Sequence, residues 1–142
     1  MTNRARSGLN FRGRAAAYWV TTLLVVFELA LGGAWDVLRV PQVRILIERL
    51  GYPLYLLAIL GTWKLLGAMV LIAPRFPRLK EWAYAGVFFD LTGAVASLAC
   101  AGMASAETMA YPVVMMAIAG ASWALRPPSR RLLFLDGEAG RG

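Results

Sequence analysis

The sequence predicts an all-α fold: an integral membrane, antiparallel bundle of four spanning helices, with a short interfacial helix in the first connection. Composition is the first reason. The chain of 142 residues is 59% hydrophobic with a mean hydropathy of +0.59, too apolar for a soluble domain of that size and consistent with one small membrane domain. The second reason is four apolar runs, 18–38, 53–72, 82–101 and 109–125. At about 1.5 Å per helical residue the first three cross a hydrocarbon core of about 30 Å, and the last is near the lower limit. The third is that basic residues sit at the ends of these runs rather than on one soluble face.

The first run follows a basic tail, 1–17, with Arg4, Arg6, Arg12 and Arg14. Gly32 and Ala34 imitate a signal-peptide cleavage site, but the apolar region is too long for one, contains Glu28 and is followed by three further runs. An uncleaved first helix is expected. In the next connection Val43, Leu46, Ile47 and Leu50 fall at i, i+3, i+4 and i+7, with Arg44 and Glu48 on another face. Pro41 and Gly51 bound this stretch, predicting the short helix that lies on the membrane surface. In 73–81, Pro74 and Pro77 among three cations predict a tight turn that makes the second and third spans antiparallel neighbours. A basic tail, 126–142, closes the chain.

Positive charge predicts orientation. The amino-terminal tail, the connection bearing Arg75, Arg78 and Lys80, and the tail bearing Arg126, Arg130, Arg131 and Arg141 share one side. The other side has Arg39, Arg44 and Arg49, while the third connection carries only Glu107. Both termini are therefore expected in the cytoplasm. Tyr18, Trp19, Tyr52, Tyr55, Trp82, Tyr84, Tyr111 and Trp123 lie near run ends, where amphipathic rings favour the interface, and only Trp63 lies deep.

Glu28, Lys64 and Asp90 stand near the middle of three different runs. A charge at the bilayer centre costs roughly 2.5 to 3.5 kcal/mol on insertion scales, so such groups face one another or a wet cavity. Helical rise puts Lys64 and Asp90 each about 12 Å from the cytoplasmic edge and Glu28 about 15 Å. Lys64 and Asp90 are expected to pair, leaving Glu28 without a full counter-charge. Around them run stripes of small or polar residues: Gly86, Asp90, Gly93, Ser97 and Cys100 on the third span, Gly61, Lys64 and Ala68 on the second, and Thr21, Glu28, Gly32 and Trp35 on the first. Such stripes let helices approach closely. The fourth run has Gly120 and Ser122 but no charge, and is assigned to packing. Thr21, Thr62, Thr92, Ser97 and Ser122 are expected to bond their own helix backbones.

Several chemistries lack their residues. The net charge of +7 does not imply nucleic acid, because the cations are not gathered on a folded soluble face. With one cysteine and no histidine, an internal disulfide is excluded and no metal site is expected.

The runs Gly51-Tyr52-Pro53, Leu60-Gly61-Thr62-Trp63-Lys64-Leu65-Leu66-Gly67, Ala73-Pro74-Arg75-Phe76-Pro77-Arg78, Leu79-Lys80-Glu81-Trp82-Ala83-Tyr84-Ala85-Gly86 and Phe89-Asp90-Leu91-Thr92-Gly93-Ala94 together resemble the DoxX-like family of small bacterial membrane proteins. The resemblance extends over 18–131 and implies a four-helix membrane bundle. The family takes its name from a subunit of a quinone-linked sulfur oxidoreductase, so the resemblance also implies a quinone as the carrier to consider. Relatives commonly have His after the Ser of the third span, where this chain has Leu98 after Ser97.

Two classes of function follow. In the first, the chain is an accessory of a membrane redox system: a quinone or other lipophilic carrier docks beside Glu28, Lys64 and Asp90, and electrons come from a partner. In the second it is a non-catalytic scaffold or assembly subunit whose charges fix helix register. Small-solute transport is weaker, since no internal repeat or pair of broken helices is evident. The partners expected are the lipid bilayer, a redox or other membrane protein, and a second copy of the chain. Whether the chain is an enzyme is left open.

Overall fold

The computed structural model describes residues 2–127, with side chains from residue 13 onward. The side chains of Arg4, Arg6 and Arg12, and Arg130, Arg131 and Arg141, lie outside the described set. Among the described residues there are five helices: α1 (Thr2–Leu38), α2 (Pro41–Arg49), α3 (Tyr55–Ile72), α4 (Pro77–Cys100) and α5 (Ala106–Leu125). Four segments, Gly13–Leu38, Tyr55–Ile72, Pro77–Cys100 and Ala106–Leu125, are long and apolar enough to cross a membrane. The protein is a multi-pass membrane protein, and α2 is the short helix expected in the first connection.

Local chemistry sets the boundaries. Pro41 starts α2, whose fixed φ suits the first helical turn. Past its end, Gly51 takes a φ of +78° that favours glycine. Pro77 starts α4, so residues 77–81, read from the sequence as part of the turn, are helical. At the head of α5, Ser105 and Thr108 form a reciprocal capping box.

The spans form a ring in which α1 packs on α3 and α5, and α4 packs on α3 and α5. Successive spans run in alternating directions, which also makes the first and last, α1 and α5, antiparallel. The tightest seam is α1 against α3, where a β-carbon on Gly61 would lie 2.6 Å from the Gly33 carbonyl oxygen. Val25, Leu29, Ala68, Leu71, Val87 and Leu91 belong to the core that fills the bundle.

Two residues placed by sequence at the interface belong to this core. Tyr18 and Tyr84 are 1% and 2% exposed, and the Tyr84 hydroxyl is 2.7 Å from Ser122 Oγ, itself 2.7 Å from Thr22 Oγ1. The bundle axis supplies what the interface otherwise offers such a ring, a polar partner at one end. Ser122 thereby departs from the expected bond to its own helix. Thr21, Thr62 and Thr92 follow that expectation, donating to backbone oxygens of their own helices. Because Ser122 ties α5 to both α1 and α4, Ser122→Ala is expected to lower stability in detergent by about 1 to 3 kcal/mol. Thermal or SDS-induced unfolding measures this, and Thr92→Val should change it little.

Candidate functional site

The structure gathers the intramembrane charges on one face of each helix. Glu28, Gly32 and Asp36 recur every four residues on α1 and so share a stripe. Lys64 reaches across from α3, and its ammonium lies 3.0 Å from Asp36 Oδ2 and 3.5 Å from Asp90 Oδ2 on α4. A β-carbon on Gly32 would stand 3.4 Å from Glu28 Oε1 and 4.0 Å from Lys64 Nζ. The missing side chain leaves the notch in which ammonium and Glu28 carboxylate share space. On the far side, the Tyr111 hydroxyl of α5 donates to Glu28 Oε1 at 2.9 Å.

All four spans therefore contribute, including α5, which the sequence reading assigned to packing because it carries no charge. Tyr111 supplies a neutral donor in place of one. Asp36 was missed because it stands two residues from the end of α1 and reads as an interfacial charge. Its side chain is nevertheless only 7% exposed. The discoverable signal was its spacing of eight from Glu28, two steps along the same helical stripe.

The stripe on α4 divides. Asp90 turns to Lys64, but Gly86 and Gly93 have nothing within 4 Å of a β-carbon built on them. Among the described residues no helix comes within that distance of them, so inside this bundle they make no close helix seam. Ser97 is 2.9 Å from the Tyr52 hydroxyl, which ties the end of the α2 connection to α4. Gly61 alone of the proposed supporting face takes part in a close helix seam.

The open space beside Gly86 is a groove between α3 and α4 of about 500 Å³, within the range of small-molecule sites. Leu29 forms part of its lining from α1, Gly67 and Gly86 lie on opposite walls, and Trp63 and Phe89 flank it. Trp63 and Phe89 are 69% and 76% exposed, so the groove opens on the surface that faces lipid; Trp63 is deep along its helix but outside the bundle. Lys64 and Asp90 are its charged lining residues. They lie toward the end away from the α3–α4 turn, while the stretch nearer the turn is lined by Val70, Leu79, Trp82 and Ala83. Among the described residues, no group of acidic, cysteine or histidine side chains is arranged to hold a metal ion.

Two other cations are absorbed by structure. Lys80, read as a turn cation, is 1% exposed and donates to the carbonyls of Val70, Leu71 and Ala73 at 2.6 to 2.7 Å. Arg126, read as part of the basic tail, is 3% exposed; it donates to Glu81 Oε1 at 2.6 Å and lies over the rings of Tyr84 and Trp123.

A family model described as the DoxX-like family matches residues 20–122. The chain belongs to the DoxX-like family. The region matched in this DoxX-like protein contains every member of the ion cluster, from Glu28 to Tyr111, and ends at Ser122 of the hydroxyl chain. No curated protein and no solved structure matches it. Leu98, which follows Ser97, is 8% exposed in the core, and the neighbouring polar contact is Ser97 with Tyr52.

Proposed function

We propose that this DoxX-like protein is an accessory of a quinone-linked redox system in a bacterial inner membrane, with both termini in the cytoplasm. The groove between α3 and α4 holds a lipophilic carrier whose polar head rests beside Lys64 and Asp90. One observation carries the reading: an ion pair of 3.5 Å lines an apolar cavity of about 500 Å³ open to lipid. A charge on such a surface is costly unless it serves something that enters the cavity. Lys64 stabilises negative charge developing on a carrier oxygen, and Glu28, outside the groove lining and hydrogen-bonded to Tyr111, is the acid that exchanges its proton with the ion cluster. Electrons pass to or from a partner protein.

The test is photolabelling in lipid nanodiscs with a photoreactive decylquinone. Gly86→Leu fills the groove without touching the ion cluster and is expected to cut labelling of α3 and α4 at least tenfold. Gly93→Ala, on open surface outside the groove lining, should leave it unchanged. Equal labelling of wild type and Gly86→Leu would refute the groove as the carrier site.

A scaffold role has its own observation, since the 3.0 Å bond from Lys64 to Asp36 ties α1 to α3. A Lys64→Met protein that loses a copurifying polypeptide while no carrier binds to wild type favours that reading.

A further inference from the structure

The groove's polar lining is unevenly satisfied. Lys64 is engaged on its inner side, donating to Asp36 at 3.0 Å. Asp90, with a side chain 23% exposed, has as its one polar partner among the described residues the same ammonium at 3.5 Å. The bilayer core supplies no donor to the other carboxylate positions. What Asp90 lacks is therefore a donor, and the groove is the direction from which one arrives.

Charge narrows the class of head. Three carboxyl groups, of Glu28, Asp36 and Asp90, surround one ammonium, so a phosphate or fatty-acid carboxylate is repelled. A cationic head would complement the carboxyl groups, but it must shed water to reach the membrane interior and would meet the Lys64 ammonium beside Asp90. An uncharged hydroxyl satisfies the carboxylate without either penalty. Depth narrows it further. The polar end of the groove is inside the membrane, and the apolar stretch runs from there toward the turn between α3 and α4. A phospholipid, whose head is held at the interface, presents the opposite polarity.

We infer that the groove selects a lipid-soluble molecule with a single tail and an uncharged hydroxyl head, the hydroxyl donating to Asp90. The inference rests on the groove being the carrier site, and for a quinone-type carrier it means that the reduced, hydroxyl-bearing form binds in preference to the oxidised form. Lys64, itself in the groove lining, also holds Asp90 toward the groove.

The experiment is anaerobic equilibrium binding to the full chain in nanodiscs, using radiolabelled decylhydroquinone, decylquinone and the dimethyl ether of decylhydroquinone. The three share a tail and differ in hydrogen-bond donors. Decylhydroquinone is expected to bind on the order of tenfold tighter than either of the others. Asp90→Leu should bring its affinity down to that of the ether, whose own binding should not weaken. Equal affinities for all three in wild type would overturn the hydroxyl preference while leaving the groove as a carrier site. Decylammonium displacing decylhydroquinone at lower concentration than the hydroquinone itself would also overturn it. Saturable binding by none of the three would remove the carrier site and the inference together.

Discussion

Gly61→Ala is expected to be among the most damaging single-methyl additions in this protein. The new β-carbon would lie 2.6 Å from the Gly33 carbonyl oxygen, 2.8 Å from Val37 Cγ2 and 2.9 Å from Asp36 Cβ. Two of these contacts are inside any accepted carbon separation and the first is to backbone, so α1 and α3 must move apart. Overpacking of this kind costs about 1 to 3 kcal/mol or more, while the better helix propensity of alanine returns only about 1 kcal/mol. With the clash against backbone placing the cost at the upper end, we expect a net loss of about 2 kcal/mol. The separation also reaches the ion cluster, because Asp36 is one of the groups displaced and Lys64 must follow it or lose its 3.0 Å bond. Gly67→Ala is the control: its β-carbon would meet only Leu29 Cδ1, at 3.7 Å, so stability should stay within about 1 kcal/mol of wild type. Unfolding of both variants in one detergent decides the matter. Equal stability for the two would mean that the α1–α3 seam is not a tight one.

The contrast between these glycines marks what the sequence discloses. Hydropathy alone locates the four spans, because a bilayer demands about twenty apolar residues whatever their neighbours are. Pro41 and Gly51 likewise disclose α2, since their backbone preferences act locally. Which face of a helix meets another is not local. Gly61 and Gly86 occupy similar stripes, yet one is pressed against backbone and the other opens onto the groove, since spans that are apolar all round give no sign of which side is lipid. The cluster was half visible for the same reason. Glu28, Lys64 and Asp90 announce themselves by being charged inside apolar runs. Asp36 is hidden by standing near a helix end, and Tyr111 by being neutral. Lys80 and Arg126 were read as turn and tail cations that set orientation because nothing in their neighbours shows that backbone carbonyls or aromatic rings will surround them.

Lys80→Met should cost about 3 kcal/mol or more, although it only removes one charge from a turn already rich in cations. The last turn of α3 leaves carbonyls without helical donors, and the Lys80 ammonium reaches back from α4 to cap Val70 and Leu71, and Ala73 beyond them. Methionine keeps the length and supplies no donor, so each buried carbonyl loses a charge-assisted bond. The turn it spans is itself strained. Arg75 and Phe76 have φ of 68° and 56°, in a region that costs a residue with a β-carbon roughly 1 to 2 kcal/mol. With the ammonium gone, the turn has less reason to hold that conformation. Arg78→Met removes the same charge from an exposed side chain and should change stability by no more than about 0.5 kcal/mol, which separates capping from the positive-charge bias on topology. Limited trypsinolysis in detergent adds a local readout, with faster cleavage after Arg75 expected in Lys80→Met alone. The consequence extends to the groove, because Val70 and Leu79, on its two walls, are respectively a carbonyl held by Lys80 and its immediate neighbour. Loosening that clamp lets α3 and α4 diverge at the apolar end, so photolabelling by decylquinone should weaken in Lys80→Met while the Lys64–Asp36 bond at the other end survives. Labelling and cleavage both unchanged from Arg78→Met would mean that the three carbonyl bonds do not set the spacing of the two helices.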